Sequence, residues 1–293
     1  MNEDHDGKRR WGVDQRLEFI ESRLFWDGAL NRADITERFG VSAAQASADL
    51  GLYKELAPNN LNYDASQKRF VASGVFTPRL IAPNADRYLV QLRAISDGVI
   101  SIADTNIGVV PNVDAMPVPH RRVDPNSLRR ILFTIRRNRG IDVLYHSMNS
   151  KRPVPLWRAI TPHAFAFDGL RWHVRAYCHL EDRFKDFILS RILELGSEVN
   201  PGRLGFEDVE WNEIFDVILM PNPKLADAQQ RTIAQDYEME AGKLHIPIRR
   251  ALLYYFNKRL RLDVAELVDD PKEAPVIVGN RKEFLQCLAG DQI

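Results

Sequence analysis

Along the first eighty residues the apolar positions fall three times at helical spacing and then switch to alternation. Val13, Leu17, Ile20 and Leu24 recur three to four residues apart, which predicts a first helix ending at the Asp27-Gly28 break. Asn31 is placed to cap a short second helix that turns Ile35 and Phe39 inward. Phe39-Gly40-Val41-Ser42 reads as a tight turn, with Gly40 free to take the left-handed conformation that follows a helix end. Ser42 stands three residues before Gln45, the spacing of a capping box. It opens a third helix running to about Leu56, with Ala46, Leu50 and Tyr53 as the buried stripe. Past Pro58-Asn59-Asn60, Leu61–Asp64 and residues 68–71 read as two short strands joined by a polar tip. Residues 1–10 carry no such pattern and are expected to be disordered.

Helix, short helix, glycine turn, capped helix and strand pair make up a winged helix-turn-helix over 1–80. The outward positions at the start of its third helix are Ser42, Ala43, Ala44, Gln45, Ser47 and Ala48. Small side chains let a helix approach base edges closely, and a glutamine can pair with adenine, although Gln45 would have to choose between capping and reading. Lys68 and Arg69 on the wing suit phosphate contacts. Residues 1–80 carry eleven Lys/Arg against twelve Asp/Glu, so this region is not a basic block. A unit of this kind also serves protein contacts, and that alternative stays open on these residues alone.

A connector follows over 81–139. Residues 84–94 read as a helix with Tyr88, Leu89 and Leu92, and Pro111, Pro117 and Pro119 mark a turn-rich passage. Asp124-Pro125 then starts a helix as cap and first residue, with Leu128, Ile131, Leu132 and Ile135 on its apolar face. Arg129, Arg130, Arg136, Arg137 and Arg139 lie on the other side. From 121 to 152 there are nine basic residues and two acidic ones, a solvated surface or a contact for phosphate or an acidic partner.

Over 141–192 the period changes to two. Short alternating runs break at Pro162, at Asp168-Gly169 and at Glu181-Asp182-Arg183, which predicts a small antiparallel β unit with a hairpin at Asp168-Gly169. Trp172, Val174 and Ala176 share one face of a strand and His173, Arg175 and Tyr177 the other. The first set is expected to pack a core. The second, brought together with Tyr145, Ser147, Arg158, His163 and Arg191, would make a concave patch of donors with aromatic walls. Guanidinium forks beside aromatics suit an anionic ligand with a stackable base, such as a nucleotide or a nucleic-acid end.

After the Pro201-Gly202 break, 211–219 reads as a short amphipathic helix, 226–237 as another, 243–248 as a strand, and 251–256 and 283–288 as helices. This small α/β extension holds twelve basic and sixteen acidic residues, so it is no obvious DNA surface; exposed aromatics in it would suit a dimer contact.

Composition narrows the function classes. A chain of 293 residues, 45% apolar, is long enough for about two domains, and its forty basic and forty acidic residues cancel. No apolar run approaches the ~20 residues of a membrane span, and the polar start does not resemble a secretion leader. Two cysteines, Cys178 and Cys287, form neither a disulfide framework nor a metal spacing, so a reducing cytoplasm is expected. There is no phosphate-binding Gly-x-x-x-x-Gly-Lys loop, nucleophile elbow or His-Glu-x-x-His motif. His146, His163, His173 and His179 fit no ligand spacing. Neither an enzyme nor a cofactor is expected.

Tyr145-x-Ser147, Pro162-His163, Trp172, Tyr177 and Phe187-x-Leu189-Ser190-Arg191 together resemble a WYL domain, in which the tripeptide position here reads Trp172-His173-Val174. The resemblance implies an α+β, multidomain chain: a winged helix-turn-helix (1–80), connecting helices (81–139), an Sm-like β-barrel of the WYL type (140–200) and a C-terminal extension for dimerisation (201–293). The layout is similar to regulators encoded beside anti-phage systems of the BREX and CBASS kinds. That implies a homodimeric repressor on a pseudo-palindromic DNA operator, released by a nucleotide or nucleic-acid signal at the WYL face. The alternative is a nucleic-acid-binding adaptor that controls no transcription.

Overall fold

In the computed structural model, which describes residues 3–119, 121–148, 153–265, 267 and 270–290, the first helix is longer than its apolar stripe. It is α1 (Glu3–Asp27). Residues 3–10 are therefore helical where disorder was expected, while residues 1–2 lie outside the described residues. The physical reason is that a helix nucleated by the Val13, Leu17, Ile20 and Leu24 stripe extends at the cost of ordering one residue for each added backbone bond.

The chain divides into two compact units, Met1–Pro117 and Val118–Ile293. In the first, α1 is followed by β1 (Ala29–Leu30), α2 (Arg32–Phe39), α3 (Ala43–Leu56), β2 (Leu61–Asp64), β3 (Arg69–Ala72) and α4 (Ala85–Ser96). Gly40 ends α2 at φ 65, as the turn required. The strands pair in the order β1-β3-β2, and Leu17, Ile20, Leu24, Ile35, Ala46, Leu50 and Tyr53 form one core. Inside that core sits a carboxylate. Glu21 is fully buried and accepts the Tyr53 hydroxyl at 3.0 Å and the backbone N–H groups of Arg79, Leu80 and Ile81 at 3.0, 2.6 and 2.8 Å. It therefore fastens the segment that leaves the wing onto α1. Further on, Asp27 accepts the N–H of Gly108, where an added Cβ would lie 1.9 Å from the Arg23 guanidinium and would have to displace it.

In the second unit α5 (Pro125–Arg136) starts as expected, with Asp124 accepting the Ser127 N–H and proline in the first turn. Its inner face, led by Ile131, packs on a five-stranded antiparallel sheet: β4 (Gly140–Tyr145), β5 (Leu156–Phe167), β6 (Trp172–Cys178), β7 (Arg183–Ile188) and β8 (Ile192–Val199). The sheet order is β7-β6-β5-β4-β8, and among the described residues its edge strands β7 and β8 do not pair with each other. The expected barrel is thus an open sheet. Trp172 is a second correction. It shares the parity of the buried Val174 and Ala176 but is 53% exposed. It lies in the last register pair of the hairpin, opposite Phe167, outside the core that α5 covers. Of the basic passage, Lys151 and Arg152 lie outside the described residues.

The extension contains α6 (Val209–Asn212), β9 (Ile214–Pro221), α7 (Asp227–Asp236), β10 (Leu244–Arg249), α8 (Leu253–Arg259), β11 (Val276–Val278) and α9 (Arg281–Gly290). Residues 211–219 are mostly strand rather than helix. Their inward positions Phe215, Val217 and Leu219 have period two, and β9 is the centre of a β10-β9-β11 sheet backed by Leu253 and Phe284.

Candidate nucleic-acid interface and ligand site

In the first unit the candidate reading surface is the start of α3. Ser42 caps it, accepting the Gln45 N–H at 3.1 Å. Only this half of the expected capping box forms, because the Gln45 amide turns away and donates to Asp49 at 2.9 Å. Asp49 is 2% exposed and also receives Arg16 of α1 through two bonds of 2.6 and 3.2 Å. An Arg16–Asp49–Gln45 chain therefore holds α3 against α1 and pre-positions the glutamine. Ser47 donates to the Ala43 carbonyl at 2.9 Å and accepts Arg32 of α2 at 3.4 Å. What remains outward is a low surface of Ala43, Ala44 and Ala48 methyl groups, flanked by Gln45 and Arg32. Arg32 was absent from the sequence expectations. Its signal was its place beside the Asn31 cap, at the end of the helix that runs along the DNA backbone in this motif. On the wing, Asp64 accepts Ser66 and Gln67 N–H groups at 2.8 and 3.1 Å and shapes a tip at which Lys68 (φ 52) and Arg69 are exposed.

In the second unit the expected donor residues do not form one patch. The register sorts them onto the two faces of the sheet. Val143 pairs with Arg158, so Arg158 lies on the α5 side with Tyr145. Thr161 pairs with Tyr177, and Arg175 with Asp186, on the opposite side.

On the α5 side Tyr145 is buried and accepts the Ile188 N–H at 3.2 Å, with its ring edge-on to Phe187. Arg158 is 5% exposed and stands 5.5 Å from the Tyr145 ring. Its Nη1 reaches Glu181 at 3.4 Å, and Glu181 also holds Lys185 at 2.5 Å. The Nε and Nη2 groups of Arg158 are buried with no hydrogen-bond partner among the described residues. Leaving that edge of the guanidinium unpaired is costly, and an anion with two acceptor oxygens would satisfy it. Ser147 follows the end of β4, and Arg191 is half-buried in the turn before β8, where its carbonyl accepts the His146 N–H at 3.1 Å.

On the other face the donors are already occupied by the chain's own carboxylates. Arg175, 4% exposed, grips Asp208 through Nε and Nη2 at 2.8 and 3.1 Å, Glu210 at 2.6 Å, and approaches Asp186 at 3.6 Å. His163 bonds the same Asp208 at 2.9 Å. Burial alone would raise the Asp208 carboxyl, but the bonds from His163 and Arg175 hold it at about 2. At Asp186 burial dominates and pushes the carboxyl up, outweighing the Arg175 and His173 charges and the bond from Tyr255. Tyr255 of α8 donates to Asp186 at 3.0 Å and packs its ring 4.9 Å from His173, whose Nε2 meets Asp168 at 2.9 Å. Tyr177 bonds Asp182. The linker lies directly on this face. A Cβ on Gly202 would come within 2.5 Å of the Tyr177 ring, and one on Gly205 within 2.8 Å of His163. Beside the cluster opens a cleft of about 540 Å³ between Arg175, Lys185, Arg203, Asp208, Tyr254 and Tyr255. Sequence reasoning sought donors and missed their partners Asp186, Asp208, Glu210 and Tyr255, because only folding brings residues 208–210 and 255 onto β6.

Three family models match, one in the first unit and two in the second. A BrxR transcriptional regulator winged helix-turn-helix domain covers 12–94, a WYL domain 126–196, and a BrxR transcriptional regulator C-terminal dimerization domain 214–284. The chain is 36% identical over 297 residues to the DNA-binding transcriptional repressor CapW of Stenotrophomonas maltophilia, covering 100% of this chain and 97% of that one. The chain belongs to the CapW family. CapW proteins of Escherichia coli (strain KTE188) and Pseudomonas aeruginosa are 36% and 37% identical over 95% and 94% of this chain, and 93% and 91% of their own. These CapW relatives are named as regulators and not as enzymes, in line with the missing catalytic motifs. Among the described residues no group of three or more His, Cys, Asp or Glu is placed to hold a metal, and no helix is long and apolar enough to cross a membrane.

Proposed function

We propose that the protein is a homodimeric, DNA-binding transcriptional repressor whose WYL domain senses an anionic nucleotide or nucleic-acid signal. The observation that carries the DNA-binding part is the methyl-lined start of α3, rigidly set by Ser42 and the Arg16–Asp49–Gln45 chain, in a unit whose wing tip bears exposed Lys68 and Arg69. Two such helices on a two-fold axis select half-sites about one helical turn apart, hence a pseudo-palindromic operator. Ser42, Ala43, Ala44, Gln45 and Ser47 face the major groove, and Lys68 and Arg69 the phosphates. The names of the CapW relatives support repression, and the match to a dimerization domain supports the dimer.

The signal has two candidate footholds. One is Arg158, with its unsatisfied N–H groups beside Tyr145, and Ser147 and Arg191 would complete it. The other is the His163, His173, Arg175 and Tyr177 face, where an anion would have to displace Asp208 and Glu210. The first is the stronger, because no internal carboxylate saturates it. The regulated genes are, on this reading, an anti-phage defence operon, and the protein works in the cytoplasm.

Mobility-shift titration of the full chain against DNA from its own upstream region tests the proposal. A discrete complex is expected, weakening steeply with salt, and lost when residues 42–47 are replaced by a neutral helical sequence. Duplex binding that survives that replacement would favour the adaptor reading instead.

A further inference from the structure

α4 closes the first unit with an unusual outer face. Leu92 points into the unit and is buried, yet Leu89 and Val90 are 60% and 66% exposed. Asp86 stands three and four residues before Leu89 and Val90, Arg93 stands four and three after them, and Asp97 four beyond Arg93, so the five lie on one side of the helix with the neighbours Leu89 and Val90 at its centre. An apolar pair at the centre of a stripe is flanked by an acid on one side and a base on the other. Asp86 and Arg93 are equally far, about 5 Å along the axis, from the point between Leu89 and Val90.

We infer that this stripe is the contact through which the winged-helix units of two copies pair, α4 against α4 in antiparallel fashion about a two-fold axis between Leu89 and Val90. It rests on the dimeric reading above and adds the surface. A two-fold contact must be self-complementary: if residue i meets residue j, then j meets i. Asp86 of each copy then faces Arg93 of the other, and the four apolar side chains close over the axis. A foreign partner would not require acid and base to be placed symmetrically about the apolar pair. Arg93 is available, since its ion pair among the described residues, to Asp97 at 3.5 Å, is on the surface with Arg93 62% exposed, and such pairs re-form at little cost. The dimerization domain matched at 214–284 supplies a second copy at high local concentration, which lets a small contact form. Pairing here would fix the distance between the two α3 helices.

The experiment uses the full-length chain with Cys287→Ser and Val90→Cys under mild oxidation. A disulfide between copies is expected, and none at the same rate from Gln67→Cys at the wing tip. Asp86→Arg or Arg93→Asp alone should slow disulfide formation by about tenfold through like-charge apposition. The double reversal should return it to within about twofold. Intramolecular compensation does not explain that rescue, because residues seven apart are about 10 Å apart on one helix. A protein that sediments as a dimer and binds its operator but gives no disulfide at position 90 overturns this pairing alone. So does a double reversal no better than the worse single, or a cysteine shielded from thiol reagents without cross-linking, which would place another part of the same chain there. A monomer that binds no operator would overturn the dimeric reading beneath it as well.

Discussion

Replacing Arg175 tests whether the polar face of the sheet is held together by one guanidinium. In Arg175→Met the stem remains and the charge goes. Three bonds to Asp208 and Glu210 are lost, together with the approach to Asp186. Charge-assisted bonds are worth about 1.5–3 kcal/mol each, but they act as one network and do not add. Glu210 is one-third exposed, so its share is screened to below about 1 kcal/mol. Asp208 gives a second route to the magnitude. Its carboxyl is held at about 2 against an ordinary aspartate value of 3.8, which corresponds to about 2 kcal/mol, shared between His163 and Arg175. Asp186, already pushed up by burial, would take a proton once Arg175 is gone, which limits the loss. The expected destabilisation is about 3–4 kcal/mol at neutral pH, within the range for breaking a buried pair. The sign in pH follows from the depressed carboxyl. Its contribution is present above the unfolded value near 3.8 and is lost as pH falls through about 2. The part of the gap that comes from Asp208 should therefore hold from pH 7 to about 4 and narrow below it. Urea unfolding of the full chain, followed by tryptophan fluorescence with Trp211 beside His163 in this unit, measures it. A variant within about 1 kcal/mol of wild type at pH 7, or a gap unchanged down to pH 2.5, would refute the reasoning.

Three further outcomes are expected. Glu21→Ala leaves three backbone N–H groups and the Tyr53 hydroxyl without their acceptor and should cost about 3–5 kcal/mol, with Glu21→Gln less than half of that; calorimetry of the full chain would show the effect confined to one transition. Arg158→Met removes a buried charge whose N–H groups are mostly unsatisfied, so thermal stability should stay level or rise by up to about 2 kcal/mol while release of DNA by the signal is lost; a melt and a release assay on the same sample separate the two. Gln45→Ala removes one arm from the already paired Asp49 and should cost under about 1 kcal/mol, but if Gln45 reads adenine it should weaken binding to the operator by about 1–3 kcal/mol and not to a version altered at that base pair, as titration of both duplexes would reveal.

Much of the first unit was written in local pattern. The Asn31 cap, the left-handed Gly40, the Ser42 cap and the wing strands depend on neighbours within four residues or on simple alternation, and each stands where the pattern placed it. The readings that failed did so where two periods compete or where an element's end is decided elsewhere. Residues 211–219 carry apolar side chains that suit either period, and only pairing with β10 and β11 makes a strand of them. Gln45 satisfies the spacing of a capping box, but the buried Asp49, itself fixed by Arg16 from a helix 33 residues away, offers its amide a better acceptor.

The donor set of the β unit draws the same division more sharply. Which residues carry charge, and which parity each has within its own strand, the sequence determined by itself, because alternation is a property of the backbone. Whether Arg158 and Arg175 share a pocket depended on register between strands, and a shift of one residue inverts the answer. The fold puts them on opposite faces, leaves Arg158 unsatisfied and closes Arg175 with Asp208 and Glu210. That choice rests on burial, since a guanidinium taken out of water must find carboxylates, and only the tertiary structure decides which ones are within reach.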